Sequence, residues 1–122
     1  MKDEVHATKE SPIACDMGAI DPGLRASHVA TGAQLFRAVE EIRELPDGYA
    51  FRLPPDSDPL LKAAEFISLE RLCCPFLGFA LEVGPEGGPV WVRLTGREGV
   101  KAFIREEVSG LLGSAIDWEG LK

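Results

Sequence analysis

The stretch EEIRELPDGYAFRLPPDSDP, residues 40–59, decides the fold because it joins a β-hairpin directly to the start of a helix. The Asp47-Gly48 pair is typical of a hairpin turn. In the second strand large apolar residues alternate with Ala50 and Arg52, which predicts one inward face made by Tyr49, Phe51 and Leu53. The prolines and aspartates that follow break the strand. A helix is predicted to start at Asp58-Pro59 and to end at Leu72 or Cys73, because Pro75 disfavours a helical conformation at Cys74.

Upstream of the hairpin, a first helix is predicted to begin with Asp21 as its N-cap and Pro22 at its first position. At helical spacing its apolar side chains share one face with a histidine, and this predicted face consists of Leu24, His28, Val29, Leu35, Phe36 and Val39.

Downstream, a second hairpin surrounds the turn-rich segment 84–89, GPEGGP. Its two arms alternate, with the apolar residues Phe79, Leu81 and Val83 in one and Val90, Val92 and Leu94 in the other. A last helix is predicted from Glu98 to about Leu112, with Gly113 as its stop. The order α-ββα-ββα predicts an α+β two-layer sandwich, in which two hairpins form one antiparallel sheet and the helices cover one face.

The composition narrows the class of protein. A chain of 122 residues with 45% hydrophobic and 27% charged residues is typical of a globular domain with a real core. We expect a flexible leader at residues 1–12 and a single domain at residues 13–122. The formal charge of −7 argues against nucleic acid and against an anionic membrane surface as partners. Three cysteines, an odd number, cannot close a disulfide framework, which favours a cytoplasmic location and free or metal-bound thiols.

The segment LERLCCPFLGF, residues 69–79, places two cysteines side by side near the predicted helix end. Glu70 lies three and four residues before Cys73 and Cys74, so its carboxylate can reach either sulfur. Two simpler interpretations stay open. Glu70 could form an ion pair with an arginine such as Arg52 or Arg71, and the cysteines could be small apolar core residues.

The third cysteine, Cys15, precedes the first helix and could meet the vicinal pair if its segment folds over the end of the second helix. Three thiolates, or two with the imidazole of His28, would suit zinc or a softer ion such as mercury, copper(I) or arsenic(III). A histidine on an apolar helix face is otherwise a hydrogen-bonded core residue. The candidate metal ligands are therefore Cys15, Cys73, Cys74, His28 and Glu70.

Much of the chain resembles a group of small bacterial proteins that carry an E-R-x-C-C-P-F signature. The resemblance rests on IACDM (13–17), GLRASH (23–28), LF (35–36), ELPDGYAFRLP (44–54), FISLERLCCPFLGFALEV (66–83) and VWVRLTGREGVKAFI (90–104). It is sharpest from Glu70 to Phe76. The resemblance implies a shared fold and a common site, because Cys15, His28, Glu70, Cys73 and Cys74 match positions of the pattern.

We expect a binding protein rather than an enzyme, with a metal ion as its partner. One alternative is a thiol redox protein in which a vicinal cysteine attacks and Cys15 resolves, although a helix C-terminus beside Glu70 is a poor place for a lowered thiol pKa. Another is an interaction domain in which the cysteines only pack, and Trp91 or Trp118 anchors a partner or a homodimer contact.

Overall fold

The computed structural model describes residues 10–113 and 116–121, and within these ranges the chain forms three helices and one four-stranded sheet. In chain order the elements are α1 (Pro22–Arg37), β1 (Glu41–Leu45), β2 (Gly48–Leu53), α2 (Ser57–Cys73), β3 (Gly78–Val83), β4 (Val90–Thr95) and α3 (Val100–Leu112). The predicted order α-ββα-ββα is confirmed. Short 3-10 turns precede α1 at Met17–Ala19 and follow α3 at Trp118–Gly120.

The sheet is antiparallel, with the strand order β1-β2-β4-β3, so the two hairpins meet through their second strands. The β2–β4 pairing sets opposite one another the apolar residues Tyr49 and Leu94, Phe51 and Val92, and Leu53 and Val90, all of which are buried. These side chains form the sheet's contribution to the hydrophobic core, which the helices complete. The predicted α+β architecture is confirmed, and the alternation of apolar residues that predicted the strands is the physical reason for it.

The first hairpin turns one residue earlier than its sequence predicts. Leu45 pairs with Gly48, so Pro46 and Asp47 form the turn and Gly48 opens β2. Gly48 lies against the neighbouring strand, where a Cβ atom would lie 1.9 Å from the carbonyl oxygen of Leu94. The glycine is needed for this close approach of two backbones rather than for the turn.

Helix α1 begins as predicted, and the side chain of Asp21 accepts a hydrogen bond of 2.9 Å from the Gly23 N–H. Its buried face is narrower than predicted, because Leu24 and Val29 are 45% and 49% exposed. The buried positions are His28, Gly32, Leu35 and Phe36. At Gly32, which the predicted face did not include, α1 approaches α2 so closely that an added Cβ would lie 2.9 Å from Phe66.

A proline determines where α2 ends, and two glycines determine where α3 begins and ends. Helix α2 ends at Cys73 because Cys74, the residue before Pro75, has the non-helical angles φ −129° and ψ 67°. Helix α3 begins at Val100, not at Glu98, because Gly99 adopts a left-handed conformation with φ 97° that the helix cannot contain. Gly113, at φ 68°, ends α3 as predicted.

Two further predictions concern the edge strand β3 and the N-terminal residues. Val83 is 59% exposed on the edge strand β3, so it does not join the inward face predicted for it. Most of the predicted leader, residues 1–9, lies outside the described residues, and the prediction of a flexible leader stays a prediction. The carbonyl of Ser11 accepts a hydrogen bond from Arg97.

Within the described ranges, no helix has the length and apolar character that a membrane crossing requires.

Candidate metal centre

Two buried thiols lie side by side at the C-terminal end of α2. Cys73 is the last residue of the helix and Cys74 has left it, and both side chains are 0% exposed. Their Sγ atoms are 3.8 Å apart. Successive side chains on a continuing helix would point about 100° apart. The end of α2 at Cys73, before Pro75, therefore brings the two sulfurs together, as the position of this proline in the sequence predicts.

Cys15 joins this pair from a distant part of the chain. Its segment passes over the end of α2, where the Asp16 N–H donates a hydrogen bond of 2.9 Å to the Cys73 carbonyl. The Sγ atoms of Cys15, Cys73 and Cys74 all lie within 4.8 Å of one another. Cys15 is exposed, whereas the other two are buried. The expected meeting of the three thiols is thus confirmed.

Glu70 lies under the vicinal thiols and is 2% exposed. One carboxylate oxygen, Oε1, lies 3.5 Å from the sulfur of Cys73, and the other, Oε2, lies 3.4 Å from that of Cys74. The predicted alternative of an ion pair with an arginine is wrong. Arg52 pairs with Glu40 and Glu41 on the sheet, and Arg71 is exposed. Both thiols can therefore donate to a single buried carboxylate.

His28 is the partner that Glu70 has instead of an arginine. Its Nε2 atom donates to Oε1 of Glu70 at 2.8 Å, and its ring stacks on Phe66 with a centroid distance of 5.2 Å. The imidazole is 4% exposed, and its Nδ1 atom has no hydrogen-bond partner among the described residues. Donor atoms of His28, Glu70 and Cys73 lie within 4.8 Å of one another. Cys73 thus belongs to two overlapping groups of potential metal ligands.

Glu107 on α3 lies near Glu70 and Cys15, and the sequence did not predict this proximity. Burial, the charge of the Glu70 carboxylate and a hydrogen bond to it raise the pKa of Glu107 to about 7. The pattern contained a signal, because Glu107 follows Ile104 by three residues and so shares a helix face with that buried residue. A carboxyl group at such a position calls for a partner inside the protein. Here the neighbouring carboxyl group is that of Glu70.

All three metal-free thiols have a raised pKa. Desolvation by burial, and next the negative charge of Glu70, raise the pKa of both Cys73 and Cys74 far above the ordinary value of 9.0. The pKa of Cys15 is also raised, chiefly by its partial burial. A nucleophilic cysteine needs a lowered pKa. The electrostatics therefore weaken the redox alternative, whereas a metal ion would itself supply the positive charge that favours thiolates.

The spacing of the sulfurs suits a tetrahedral metal ion. At a Zn–S length of about 2.3 Å, two thiolates on a tetrahedral centre are about 3.8 Å apart. The Cys73–Cys74 distance of 3.8 Å matches this value. The sulfur of Cys15, within 4.8 Å of both, needs a shift of about 1 Å at most to reach the same separation. The three thiols could therefore hold one ion.

The two tryptophans considered as partner anchors are both engaged within the chain. The guanidinium of Arg43 lies 4.7 Å from the ring centroid of Trp91. Trp118 packs on Tyr49 at a centroid distance of 4.9 Å, and its Nε1 donates to Ser109. These contacts account for both aromatic side chains without a partner. The homodimer stays a prediction.

Comparison with protein-family models, with curated proteins and with solved structures finds no match to this chain. The functional argument therefore depends on the geometry of the thiol cluster.

Proposed function

We propose that this protein binds one thiophilic metal ion, such as zinc or mercury, through the thiolates of Cys15, Cys73 and Cys74. The observation that carries the proposal is the convergence of three sulfur atoms within 4.8 Å, one of them from a segment more than fifty positions away in the chain. Soft thiolate ligands select zinc and softer ions over magnesium or calcium. The role is sequestration, sensing or transfer of that ion.

Glu70 and His28 support the thiolates in this proposal. Metal binding must release the thiol protons, and the two oxygens of Glu70 face the two buried sulfurs at 3.5 and 3.4 Å. The hydrogen bond from His28 fixes the orientation of that carboxylate. Groups that orient metal ligands in this way tune the affinity of a site. Both residues also have the donor atoms to act as ligands themselves, as Cys73, Glu70 and His28 lie within mutual reach.

The resemblance to bacterial proteins with the E-R-x-C-C-P-F signature is consistent with this proposal. The signature covers the end of α2, where Glu70, Cys73 and Cys74 lie together. The matching positions outside it, Cys15 and His28, are the residues that approach this helix end in space. We propose that the group shares this thiol site.

Native mass spectrometry after exposure to zinc or mercury tests the proposal. The wild-type chain is expected to gain one ion, with a matching loss of free thiols. Cys73→Ser is expected to lower the affinity by about 10–100-fold or more, because a ligand of the ion is lost. Leu72→Ser is the matched control, since Leu72 is exposed on the same helix turn and does not belong to the cluster. Persistence of only the metal-free mass in the wild type would contradict the proposal.

A further inference from the structure

The three thiols differ in their access to solvent. Cys73 and Cys74 are 0% exposed and belong to the hydrophobic core, together with Phe76 and Leu77. Cys15 is exposed. An ion held by all three sulfurs would thus be shielded on the side of the vicinal pair and approachable on the side of Cys15. Any molecule that delivers or removes the ion meets Cys15 first.

The three thiols also differ in how firmly the backbone holds them. Cys73 lies within α2, and the backbone N–H of Cys74 donates to the Glu70 carbonyl at 2.8 Å. Cys15 lies outside helices and strands, and its neighbour Asp16 is joined to α2 by a single backbone hydrogen bond of 2.9 Å. The backbone of Cys15 is therefore held by fewer hydrogen bonds than that of the vicinal pair. Cys73 is fixed by its place in α2, and Cys74 is held to the last turn of that helix by the hydrogen bond to the Glu70 carbonyl.

From these two differences we propose that the site exchanges its ion with an incoming thiol through Cys15, while Cys73 and Cys74 keep hold of the ion. This inference rests on the proposed function. The incoming sulfur forms a new metal–sulfur bond as the bond to Cys15 breaks. The proton of the incoming thiol passes to the sulfur of Cys15, and no atom changes its oxidation state.

The charge around Cys15 selects among thiols. The carboxylate of Asp16 is adjacent to it, the charges of Glu107 and Glu70 act on its thiol, and the whole chain carries a formal charge of −7. Like charges repel and opposite charges raise the encounter rate. A cationic thiol, or a cysteine presented on a basic surface, therefore enters faster than an anionic thiol such as glutathione.

The test follows the loss of zinc from the loaded protein to a fixed excess of EDTA, by native mass spectrometry over time. Added cysteamine, a cationic thiol, is expected to accelerate the loss in proportion to its concentration, and glutathione to do so less. S-methylglutathione, which has no thiol, is expected to leave the rate unchanged. Cys15→Ser is expected to lose zinc faster without any thiol, on the order of tenfold, and to respond little to cysteamine, because the exchangeable bond is already absent.

The outcomes separate this inference from the proposed function. A wild-type protein that takes up no zinc contradicts both. A loaded protein whose rate of zinc loss does not change with cysteamine retains the binding function but overturns exchange through Cys15. Equal rates of loss for the wild type and Cys15→Ser, both loaded with one zinc, also overturn it. Faster exchange with glutathione than with cysteamine, at equal thiolate concentration, contradicts the role assigned to the surrounding carboxylates.

Discussion

The Nε2 atom of His28 lies 2.8 Å from Oε1 of Glu70, and the two side chains, from different helices, are 4% and 3% exposed. The contact joins α1 to the turn of α2 that carries the thiols. Glu70 also accepts from both thiols. One buried carboxylate thus ties the packing of the helices to the geometry of the candidate metal centre.

The first prediction concerns the stability contribution of Glu70. Glu70→Ala leaves His28 buried without its partner, and we expect the free energy of unfolding to fall by about 3 kcal/mol, as when one member of a buried pair is removed. Glu65→Ala, at an exposed position of the same helix, is the control and is expected to change stability by less than about 0.5 kcal/mol. Urea unfolding of the metal-free proteins measures both. Equal stabilities of the two variants would contradict the role of Glu70.

The second prediction concerns Glu107 and pH. Burial and the nearby Glu70 raise the pKa of Glu107 from 4.5 to about 7, and His28 lowers it in part. The thiol of Cys15 also lies close enough to interact with the charge of Glu107. The folded state thus keeps a proton that the unfolded state loses, so this stabilisation is complete below about pH 4.5 and is lost as the pH rises through 7.

Thermal unfolding of the metal-free protein between pH 4.5 and 8 checks this dependence. Glu107→Gln is expected to flatten the decline, because the glutamine does not titrate. Glu106→Gln, at the exposed neighbouring position, serves as the control and should retain it. A Glu107→Gln protein with the same pH dependence as the wild type would show that another group is responsible.

The third prediction separates metal binding from thiol redox chemistry. Because burial and then the charges of nearby carboxylates raise the pKa of Cys15, alkylation of the metal-free protein should proceed with a midpoint above pH 9. Cys73 and Cys74 should react only after unfolding, since both are buried. Iodoacetamide labelling followed by peptide mass spectrometry reads each site. A midpoint near pH 7 at any of the three would favour a redox role.

The fourth prediction tests the packing of the helices with two glycines. Gly32→Ala places a methyl group 2.9 Å from Phe66 and 3.3 Å from Leu111, and we expect a loss of stability of about 1–3 kcal/mol. Gly110→Ala is the matched variant, because nothing lies within 4 Å of its added Cβ in α3. That substitution should raise stability by up to about 1 kcal/mol. Thermal unfolding measures both variants. A lower melting temperature for Gly32→Ala and a higher one for Gly110→Ala support the close α1–α2 contact, and a stabilising Gly32→Ala would refute it.

The fold was predictable because its signals are local. The alternation of Val90, Val92 and Leu94 marks a strand with one buried face, and Pro75 marks the end of α2. The errors arose where tertiary contacts override local preference. Gly48 resembles a turn residue but lies in β2 against Leu94, and a wheel of α1 cannot show how closely Gly32 approaches α2.

The candidate site was only partly predictable from the sequence. Cys73, Cys74 and Glu70 lie on one helix end, so their proximity follows from helical spacing. The approach of Cys15 depends on the path of an irregular segment over α2, which no periodicity describes. Glu107 was missed because a charged residue on a helix is usually exposed to solvent.

X-ray absorption at the zinc edge of the loaded protein tests the central claim most directly, because it counts the sulfur atoms around the ion. We predict three sulfur neighbours at about 2.3 Å in the wild type, falling to two in Cys15→Ser. A first shell made only of oxygen and nitrogen atoms, or one unchanged by Cys15→Ser, would show that the three cysteines do not bind the ion together.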